Sequence, residues 1–352
     1  MTPPRHPVPA GPTPAGTARP LTVPTTTAPT TTVRAAEPPG PRALRLVHSA
    51  PASRTDHESR PGRSGDGLLR AGDRVALIAP AGPAAPGMLR AGTAWLEAWG
   101  LEVVPGKHLT DTHPTLPHLA GTDADRAADL TEALTDPATT AVFCARGGYG
   151  CQRVLDLVDW TAVENAPPKV FVGSSDTTVL HDPLTRLGRR TWFGPMPATP
   201  AFVHDGPARD HLRRALFTGD PGPYRGTVLV PGTATGPATG GTLTLLDTPP
   251  PPGAVVWLED VDEPPYRLDR MLTALLRRGW FHDVAGIALG SFTGCGDLTD
   301  VHAVLHDRLA GLGVPIVADI PFGHCAAQRT IPLGVTVHLD HNTVTTGEPP
   351  RD

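Results

Sequence analysis

One serine of this chain stands where a nucleophile could stand. Ser175 lies in the segment Gly173-Ser174-Ser175-Asp176, which follows the apolar run 169–173 and precedes a predicted helix at 177–187. A serine on a sharp turn from strand to helix projects its hydroxyl outward. The N-terminus of the helix also offers backbone N–H groups to a developing oxyanion. The pattern is compatible with nucleophilic catalysis by Ser175.

The same segment has a simpler interpretation. Ser174, Ser175 or Asp176 could cap the predicted helix through a side-chain oxygen, as these residue types commonly do. The glycine that usually stands two residues after a hydrolase serine is Thr177 in this chain. Taken alone, the motif fits a helix cap better than a catalytic turn. The interpretation as a nucleophile therefore depends on the other motifs of the chain.

A glycine-rich loop follows another apolar run, at 140–145. Its sequence is Arg146-Gly147-Gly148-Tyr149-Gly150, and glycines permit a close approach of the backbone and positive φ. Gly147 and Gly148 could supply the second oxyanion donor, or the loop could hold a substrate carboxylate beside Arg146. The alternative is a tight turn without a ligand. The dinucleotide-binding pattern G-x-G-x-x-G is absent.

A carboxylate and an imidazole could complete a Ser-His-Glu set. Glu259 ends the apolar run 254–258, where a carboxylate can hold an imidazole in the tautomer that a general base needs. His324 lies in the loop 321–325 and could take a proton from Ser175 and return it to the leaving group. The alternative for Glu259 is a solvated acidic turn, because three other acids follow within four positions.

Composition argues against several other classes of function. The net charge of the 352 residues is −5, and residues 1–67 carry about +4, so the remainder is acidic and nucleic acid is not expected as a partner. No HExxH motif and no CxxC pair is present, so we predict neither a metal nor another cofactor. Four cysteines fit a reduced, intracellular protein.

Hydropathy indicates a soluble chain. No apolar run approaches the roughly 20 residues that span a bilayer, and the N-terminus has no apolar signal-peptide core. We therefore predict a cytoplasmic protein without a membrane partner.

Short apolar runs alternate with helical patterns up to Gly194, and strand-like runs predominate after it. Strands are predicted at 73–80, 101–104, 140–145 and 169–173, and helices at 86–99 and at 123–134, with Asp123 as the cap of the second helix. The predicted fold is α/β: an N-terminal parallel-sheet domain with helices on both faces, and a smaller, strand-rich mixed α/β C-terminal domain.

Four segments follow from these patterns. Residues 1–67 contain 14 prolines and no apolar periodicity, as in disordered chains. We predict a disordered Pro/Thr/Ala-rich tail at 1–67, an N-terminal nucleophile domain at 68–215, a linker at 216–235, and a C-terminal domain carrying the glutamate and the histidine at 236–345.

Fragments spread over residues 68–340 resemble the LD-carboxypeptidase family of serine peptidases, which includes muramoyltetrapeptide carboxypeptidase and the microcin C self-immunity peptidase. So many fragments in one order make the resemblance specific. The matching fragments are Ala71-Gly72-Asp73, Leu119-Ala120-Gly121-Thr122-Asp123, Cys144 to Gly150, Gly173 to Asp176, Gly194-Pro195-Met196, Gly240-Gly241, Leu258 to Val261, Tyr266 to Leu272 and Phe322-Gly323-His324.

The resemblance implies a role for each candidate residue. Ser175 is expected to be the nucleophile, His324 the general base and Glu259 the residue that orients it. Oxyanion donors are expected from the Asp176 N–H and from the loop Gly147-Gly148. The resemblance further implies a metal-independent enzyme, commonly a homodimer, with the serine on the N-terminal domain and the other two residues on the C-terminal domain.

The substrate expected from the resemblance is a small muropeptide-like peptide. Cell-wall members of the family release the terminal D-alanine from a muropeptide tetrapeptide, and Arg146 is a candidate for reading the free carboxylate. Two alternatives stay open: an amidase for a microcin C-type peptidyl-nucleotide, and a catalytically silent relative that binds peptides.

Two departures from the family bear on the substrate. After Gly240-Gly241 the family usually has Asn, whereas this chain has Thr242, and the stretch that follows is shortened. Trp192-Phe193 also replace the usual His before Gly194-Pro195. Both changes bear on the identity of the substrate more than on the triad.

Overall fold

The structure is a computed structural model that describes residues 68–347. The predicted tail at 1–67 lies outside the described residues, as do residues 348–352. Within the described range, the chain forms two β-sheets with helices packed on them.

The first sheet is parallel except for one edge strand. Its spatial order is β12-β5-β4-β3-β1-β2, in which β12 runs antiparallel to β5. The strands are β1 (Arg74–Ile78), β2 (Glu102–Pro105), β3 (Ala141–Cys144), β4 (Val170–Gly173), β5 (Thr191–Phe193) and, from much later in the chain, β12 (Ile331–Leu333).

Helices cover both faces of this sheet. One face carries α1 (Pro86–Ala98), α6 (Pro200–Val203) and α7 (Gly206–Thr218); the other carries α2 (Asp123–Thr135), α3 (Cys151–Val154), α4 (Trp160–Asn165) and α5 (Thr178–Arg186). The strands are almost continuously apolar because each face buries its side chains against helices. The predicted parallel sheet with helices on both faces is confirmed.

The predicted cap of α2 is wrong by one residue. Thr122 is the N-cap: its hydroxyl accepts a hydrogen bond from the Asp125 N–H, and the Asp125 carboxylate reaches back to Thr122. This reciprocal capping box satisfies two of the backbone donors that a helix start leaves free. Asp123 is the first helical residue and pairs with Arg126 and Arg153.

The second sheet is mixed and strand-rich, as predicted. Its spatial order is β6-β14-β13-β8-β9-β10-β11-β7, with the four strands from β8 to β11 parallel. The strands are β6 (Tyr224–Arg225), β7 (Thr227–Val230), β8 (Thr233–Thr242), β9 (Val255–Val261), β10 (Gly286–Thr293), β11 (Ile316–Ala318), β13 (Thr336–Asp340) and β14 (Thr343–Thr346).

The two faces of the second sheet have different partners. One face packs against α8 (Pro265–Arg277) and α9 (Leu298–Leu309). The other shares a buried cluster with the first sheet, in which Phe322 contacts Phe193 and Trp257 at ring-centroid distances of 6.1 and 5.2 Å. Glu259 lies two residues after Trp257 on β9, so its side chain emerges on this same face.

Three strands do not follow the predicted segments. Residues 216–235, predicted to be a linker, contain β6 and β7 of the second sheet. β12 lies in the predicted C-terminal domain yet completes the first sheet beside β5. The division into domains stays a prediction.

Candidate active site

Ser175 stands on a strained turn after β4. Its φ is +57°, in the left-handed region that residues other than glycine seldom adopt. Ser174 before it is extended, and a single 3-10 turn at Ser175–Thr177 leads into α5. The turn is tight, because a Cβ on Gly173 would collide with Thr177 Oγ1. A strained serine between strand and helix is typical of a nucleophile turn.

The interpretation of this segment as a plain helix cap is wrong. Within the described residues, no side chain of Ser174, Ser175 or Asp176 caps α5 or the turn before it. The Asp176 carboxylate instead accepts a hydrogen bond from the Cys151 N–H at 2.8 Å. Burial raises the pKa of the Asp176 carboxyl. This side chain joins the serine turn to the helix that begins just after the glycine-rich loop.

The glycine-rich loop lies directly against Ser175. A Cβ on Gly147 would stand 2.8 Å from Ser175 Cβ, 2.9 Å from Ser175 Oγ and 3.2 Å from the Asp176 nitrogen. Gly148 and Gly150 have φ of +117° and +127°, which favour glycine. The loop backbone therefore occupies the space beside the hydroxyl, where an oxyanion would need donors.

Arg126 supports this loop from the protein interior. Its side chain is buried, and Nη1 donates to the Pro80 carbonyl at 2.6 Å and to the Gly150 carbonyl at 2.9 Å. Sequence reasoning gave Arg126 no role. The signal that could have found it is a charged residue four positions before Leu130, on the apolar side of the predicted helix.

Arg146 is folded back onto the same loop. Nε donates to the Gly147 carbonyl at 3.1 Å and Nη1 to the Pro83 carbonyl at 3.3 Å. Nη2 makes no hydrogen bond within residues 68–347, so it is the atom that could meet a substrate carboxylate. That role of Arg146 stays a prediction.

The structure brings Glu259 and His324 together. His324 Nδ1 lies 2.7 Å from Glu259 Oε2, and the His324 backbone N–H donates to the same oxygen at 3.2 Å. Glu259 is fully buried, so its interpretation as part of a solvated turn is wrong. Because an ionised carboxylate only accepts hydrogen bonds, we assign the proton to Nδ1. Nε2 is then the bare nitrogen, as a general base requires.

Gly323 makes this contact possible. Its φ is +93°, and a Cβ there would stand 2.6 Å from Cγ of Glu259. A larger residue before His324 would displace the carboxylate.

Opposing influences act on the imidazole of His324. Burial is the largest and lowers the pKa of His324. The hydrogen bond and the charge of Glu259, with the charges of Asp260 and Asp262, together outweigh burial, so the pKa of His324 is raised. The imidazole is nevertheless partly open, with a side-chain exposure of 31%.

Ser175 and His324 are not hydrogen-bonded to each other in the structure. The side chain of Thr178, three residues after Ser175 on α5, instead contacts Thr242 at the end of β8. Thr242 Oγ1 in turn donates to Glu259 Oε1 at 2.6 Å. Two threonine hydroxyls therefore connect α5, which follows the Ser175 turn, to the Glu259–His324 pair.

A cavity of about 650 Å³ opens beside His324. Its lining includes Gln328, His324, His204 and Asp205. The Gln328 side chain is 5% exposed, and its Oε1 has no hydrogen-bond partner within the described residues. The sequence gave no signal for Gln328. A second cavity, of about 700 Å³ between the sheets near Trp192, contains none of the candidate site residues.

Asp205 joins the histidine loop to α7. Its Oδ1 accepts from the Ala208 N–H at 3.0 Å as the N-cap of α7, and its Oδ2 accepts from the Ala327 N–H at 2.6 Å. Ala327 has φ of +51°, another left-handed residue close to His324. The loop after His324 is therefore hydrogen-bonded to the N-cap residue of α7, a helix that packs on the first sheet.

The part of the chain that the structure describes gives no sign of a metal site. No group of three or more His, Cys, Asp or Glu side chains in that part converges to hold a metal ion. His302 and His306 lie one turn apart on α9, but His302 pairs with Asp319. All four cysteines are free thiols. No described helix is both long enough and apolar enough to cross a bilayer.

Comparisons with known proteins identify the family of the chain. Residues 75–194 match the N-terminal domain of LD-carboxypeptidases, and residues 235–339 match their C-terminal domain. The chain is 49% identical over 291 residues to a Streptomyces coelicolor protein named "Putative carboxypeptidase", covering 79% of this chain and 93% of that protein. It is 34% identical over 292 residues to the murein tetrapeptide carboxypeptidase of Pseudomonas aeruginosa, covering 76% and 94%.

Solved structures give the same result. The muramoyltetrapeptide carboxypeptidase of Oxalobacter formigenes superposes with a TM-score of 0.69 at 26% identity, covering 79% of this chain and 100% of that one. An MccF-like protein of Bacillus anthracis superposes with a TM-score of 0.70 at 22% identity, covering 79% and 98%, which is a likeness of fold. Matches to both domain profiles and to full-length relatives lead to one conclusion: this chain belongs to the LD-carboxypeptidase family and is a serine-type LD-carboxypeptidase.

Proposed function

We propose that the protein hydrolyses the bond before the terminal D-alanine of a muropeptide tetrapeptide and thereby acts in cell-wall recycling. The observation that carries the proposal is the buried hydrogen bond between Glu259 and His324, which leaves Nε2 of the histidine free to accept a proton. The names of the Pseudomonas aeruginosa and Oxalobacter formigenes relatives support this choice of substrate.

In the proposed mechanism, Ser175 Oγ attacks the carbonyl carbon of the scissile amide. His324 Nε2 takes the hydroxyl proton, and Glu259 stabilises the imidazolium that forms. The Asp176 N–H and the backbone of Gly147 and Gly148 are proposed to hold the oxyanion, since both lie beside Ser175.

The attack gives a tetrahedral intermediate, and its collapse breaks the carbon–nitrogen bond of the scissile amide. The imidazolium of His324 gives its proton to the leaving amine, and D-alanine departs from an acyl-enzyme on Ser175. A water molecule, deprotonated by the same imidazole, then attacks the ester carbonyl. The bond from the acyl carbon to Ser175 Oγ breaks, the imidazolium returns its proton to Oγ, and the shortened peptide leaves with a free carboxyl group. We propose Arg146 Nη2 as a receptor for the free carboxylate of the substrate.

The setting is part of the proposal. We propose a cytoplasmic homodimer that acts on small peptides and uses no cofactor. The serine comes from the predicted N-terminal domain at 68–215 and the other two residues come from the predicted C-terminal domain at 236–345, joined by the predicted linker at 216–235.

A second candidate substrate is a peptidyl-nucleotide. Structures of MccF, one of them in complex with glutamyl sulfamoyl guanosine, superpose with a TM-score of 0.69 at 21% identity. This likeness is one of fold, and the shortened stretch after Thr242 marks where the substrate cleft would differ. The murein peptidase relatives are more similar in sequence, so the muropeptide is the first substrate to test.

The test is release of D-alanine from a muropeptide tetrapeptide, followed by mass spectrometry. We expect Ser175→Ala and His324→Ala each to lower kcat by at least about 10⁴-fold while the fold is kept. Ser174→Ala is the matched control, because Ser174 is the neighbouring serine and is buried. The same peptide ending in L-alanine tests the configuration.

Full activity of Ser175→Ala would exclude this serine as the nucleophile. No release by the wild-type chain, with Ser175 still labelled by a fluorophosphonate probe, would favour the peptidyl-nucleotide. Absence of both release and labelling would favour a silent, peptide-binding relative.

A further inference from the structure

Glu259 is a buried carboxylate whose two oxygens have different hydrogen-bond partners. Oε2 receives both bonds from His324, and Oε1 receives one bond, from Thr242 Oγ1 at 2.6 Å. Thr242 itself is 3% exposed, so water does not replace this donor. A buried charge needs all of its partners, because an unpaired carboxylate oxygen in an apolar setting is costly.

The chemistry of the groups fixes the direction of these bonds. An ionised carboxylate can only accept hydrogen bonds, so the Thr242 hydroxyl must donate its hydrogen to Glu259. Its lone pairs then face Thr178, whose Oγ1 donates to Thr242 Oγ1 at 3.3 Å. The Thr242 backbone N–H closes the arrangement by donating to Thr178 Oγ1 at 3.2 Å.

These bonds connect the two sides of the site in one line. Thr178 is the first residue of α5, the helix that begins directly after the Ser175 turn. Gly241, whose φ is +139°, brings the end of β8 so close that a Cβ there would stand 2.7 Å from Thr178 Oγ1. The order of bonds therefore runs from α5 through two hydroxyls to Glu259, and from Glu259 to His324.

We propose that Thr242 is a positioning residue for catalysis: its hydroxyl holds the Glu259 carboxylate so that Oε2 faces His324 and keeps the histidine proton on Nδ1. This inference rests on the proposed role of Ser175, Glu259 and His324. It also gives a function to Thr242, which stands where the family resemblance leads one to expect Asn. The proposed action of the threonine is on the buried Glu259 carboxylate and not on the peptide.

The test is the rate at which a fluorophosphonate probe labels Ser175, since this rate depends on activation of the serine and on no peptide. We expect Thr242→Val, which keeps the shape and removes the hydroxyl, to slow labelling by about 10- to 100-fold, because leaving a buried acceptor unpaired has a cost of this order. Thr242→Ser should restore most of the rate. Thr244→Val is the matched control, because Thr244 is exposed and its side-chain hydroxyl makes no hydrogen bond within residues 68–347.

Turnover of the muropeptide gives a second readout. We expect Thr242→Val to lower kcat and leave KM unchanged, because the threonine orients the base and does not bind the peptide. Thr178→Val, which removes the outer hydroxyl of the line, should have a smaller effect in the same direction. Thermal melting shows whether Thr242→Val folds. If it folds poorly, Thr178→Val still tests the inference.

The outcomes separate the inference from the proposed function. Wild-type labelling rates in both Thr242→Val and Thr178→Val would overturn the positioning role while the triad stands. A rise in KM at constant kcat would overturn it in favour of substrate contact. A wild-type chain that is never labelled would overturn the activated serine and the positioning role together.

Discussion

At the scale of single residues, protonation of His324 decides when the site can work. The imidazole must be neutral to take a proton from Ser175. Its pKa is lowered by burial and raised more strongly by Glu259, Asp260 and Asp262, with a net increase. Since a raised pKa keeps a histidine charged to higher pH, activity should appear only as the pH rises through that raised value.

Replacing Glu259 by Gln tests this account. The hydrogen bond and charge that raise the pKa of His324 are removed while burial remains, so the acid limb of kcat/KM should move to lower pH. The rate at the optimum should also fall, by up to about 10⁴-fold, because the tautomer is no longer fixed. The loss should be smaller than that of His324→Ala, in which the base itself is gone. The measurement is a pH profile of kcat/KM; an acid limb that stays in place would contradict the coupling.

At the scale of elements, the site depends on where strands end. Ser175 follows β4 and the glycine-rich loop follows β3, and these strands are parallel neighbours. Carboxyl ends of parallel strands meet at one edge of a sheet, which is why residues so far apart in sequence share one surface. The positions where the backbone approaches most closely are glycines, because no side chain fits there.

Gly147→Ala is the sharpest test of this close approach. The new Cβ would press on Ser175 Cβ and Oγ at under 3 Å, so we expect kcat to fall at least about 10-fold through displacement of the nucleophile or of the oxyanion donors. Gly87→Ala is the matched control: it lies in α1 with open space around it and should leave kcat unchanged while raising stability by up to about 1 kcal/mol. Equal kcat in wild type and Gly147→Ala would show that the loop does not shape the site.

Much at this scale could be predicted from the sequence. Buried parallel strands are continuous apolar runs, so β1, β3 and β4 stood out together with the motifs that follow them. The cap of α2 was misplaced because Thr122 and Asp123 are both good cap residues, and only the return bond from Asp125 separates them. The partners of Asp176 and Arg126 were beyond prediction, because they depend on contacts between distant segments.

At the scale of the whole molecule, Asp205 joins two parts of the site. It caps α7 on the first sheet with one oxygen and holds the histidine loop at Ala327 with the other. A carboxylate can serve both donors at once, whereas an amide has a single acceptor oxygen. Asp205 therefore serves both donors through its two acceptor oxygens.

Asp205→Asn should separate these two tasks. Asn is a good N-cap, so α7 and the melting temperature should change by only a few degrees. The Ala327 N–H then loses its partner, and we expect kcat to fall by about 2- to 10-fold as the loop of His324 becomes less well held. Asp159→Asn is the matched control, because Asp159 caps α4 and makes no hydrogen bond to another sheet within the described residues. Equal activity of Asp205→Asn and wild type would remove the loop contact from the account of catalysis.

The relation between the two sheets was the least predictable feature. The three residues of β12 carry no pattern that indicates their partner strand, since pairing depends on contacts far apart in sequence. The meeting of Glu259 with His324 could be expected only from the family resemblance. Thr242 was visible as a departure from the family, and its bond to Glu259 became visible only in the structure.

The strand β12 limits how this architecture can be divided. A chain cut at the predicted linker would leave β5 without its neighbour and expose a row of unpaired N–H and C=O groups on an apolar edge. Such edges pair with other chains, so an isolated N-terminal half would tend to aggregate. Recombination between relatives meets the same constraint: a C-terminal half can be exchanged only together with a strand that fits the recipient's β5. The segment that carries Ser175 and the segment that carries His324 therefore have to be exchanged together, because the three residues of β12 pair with β5.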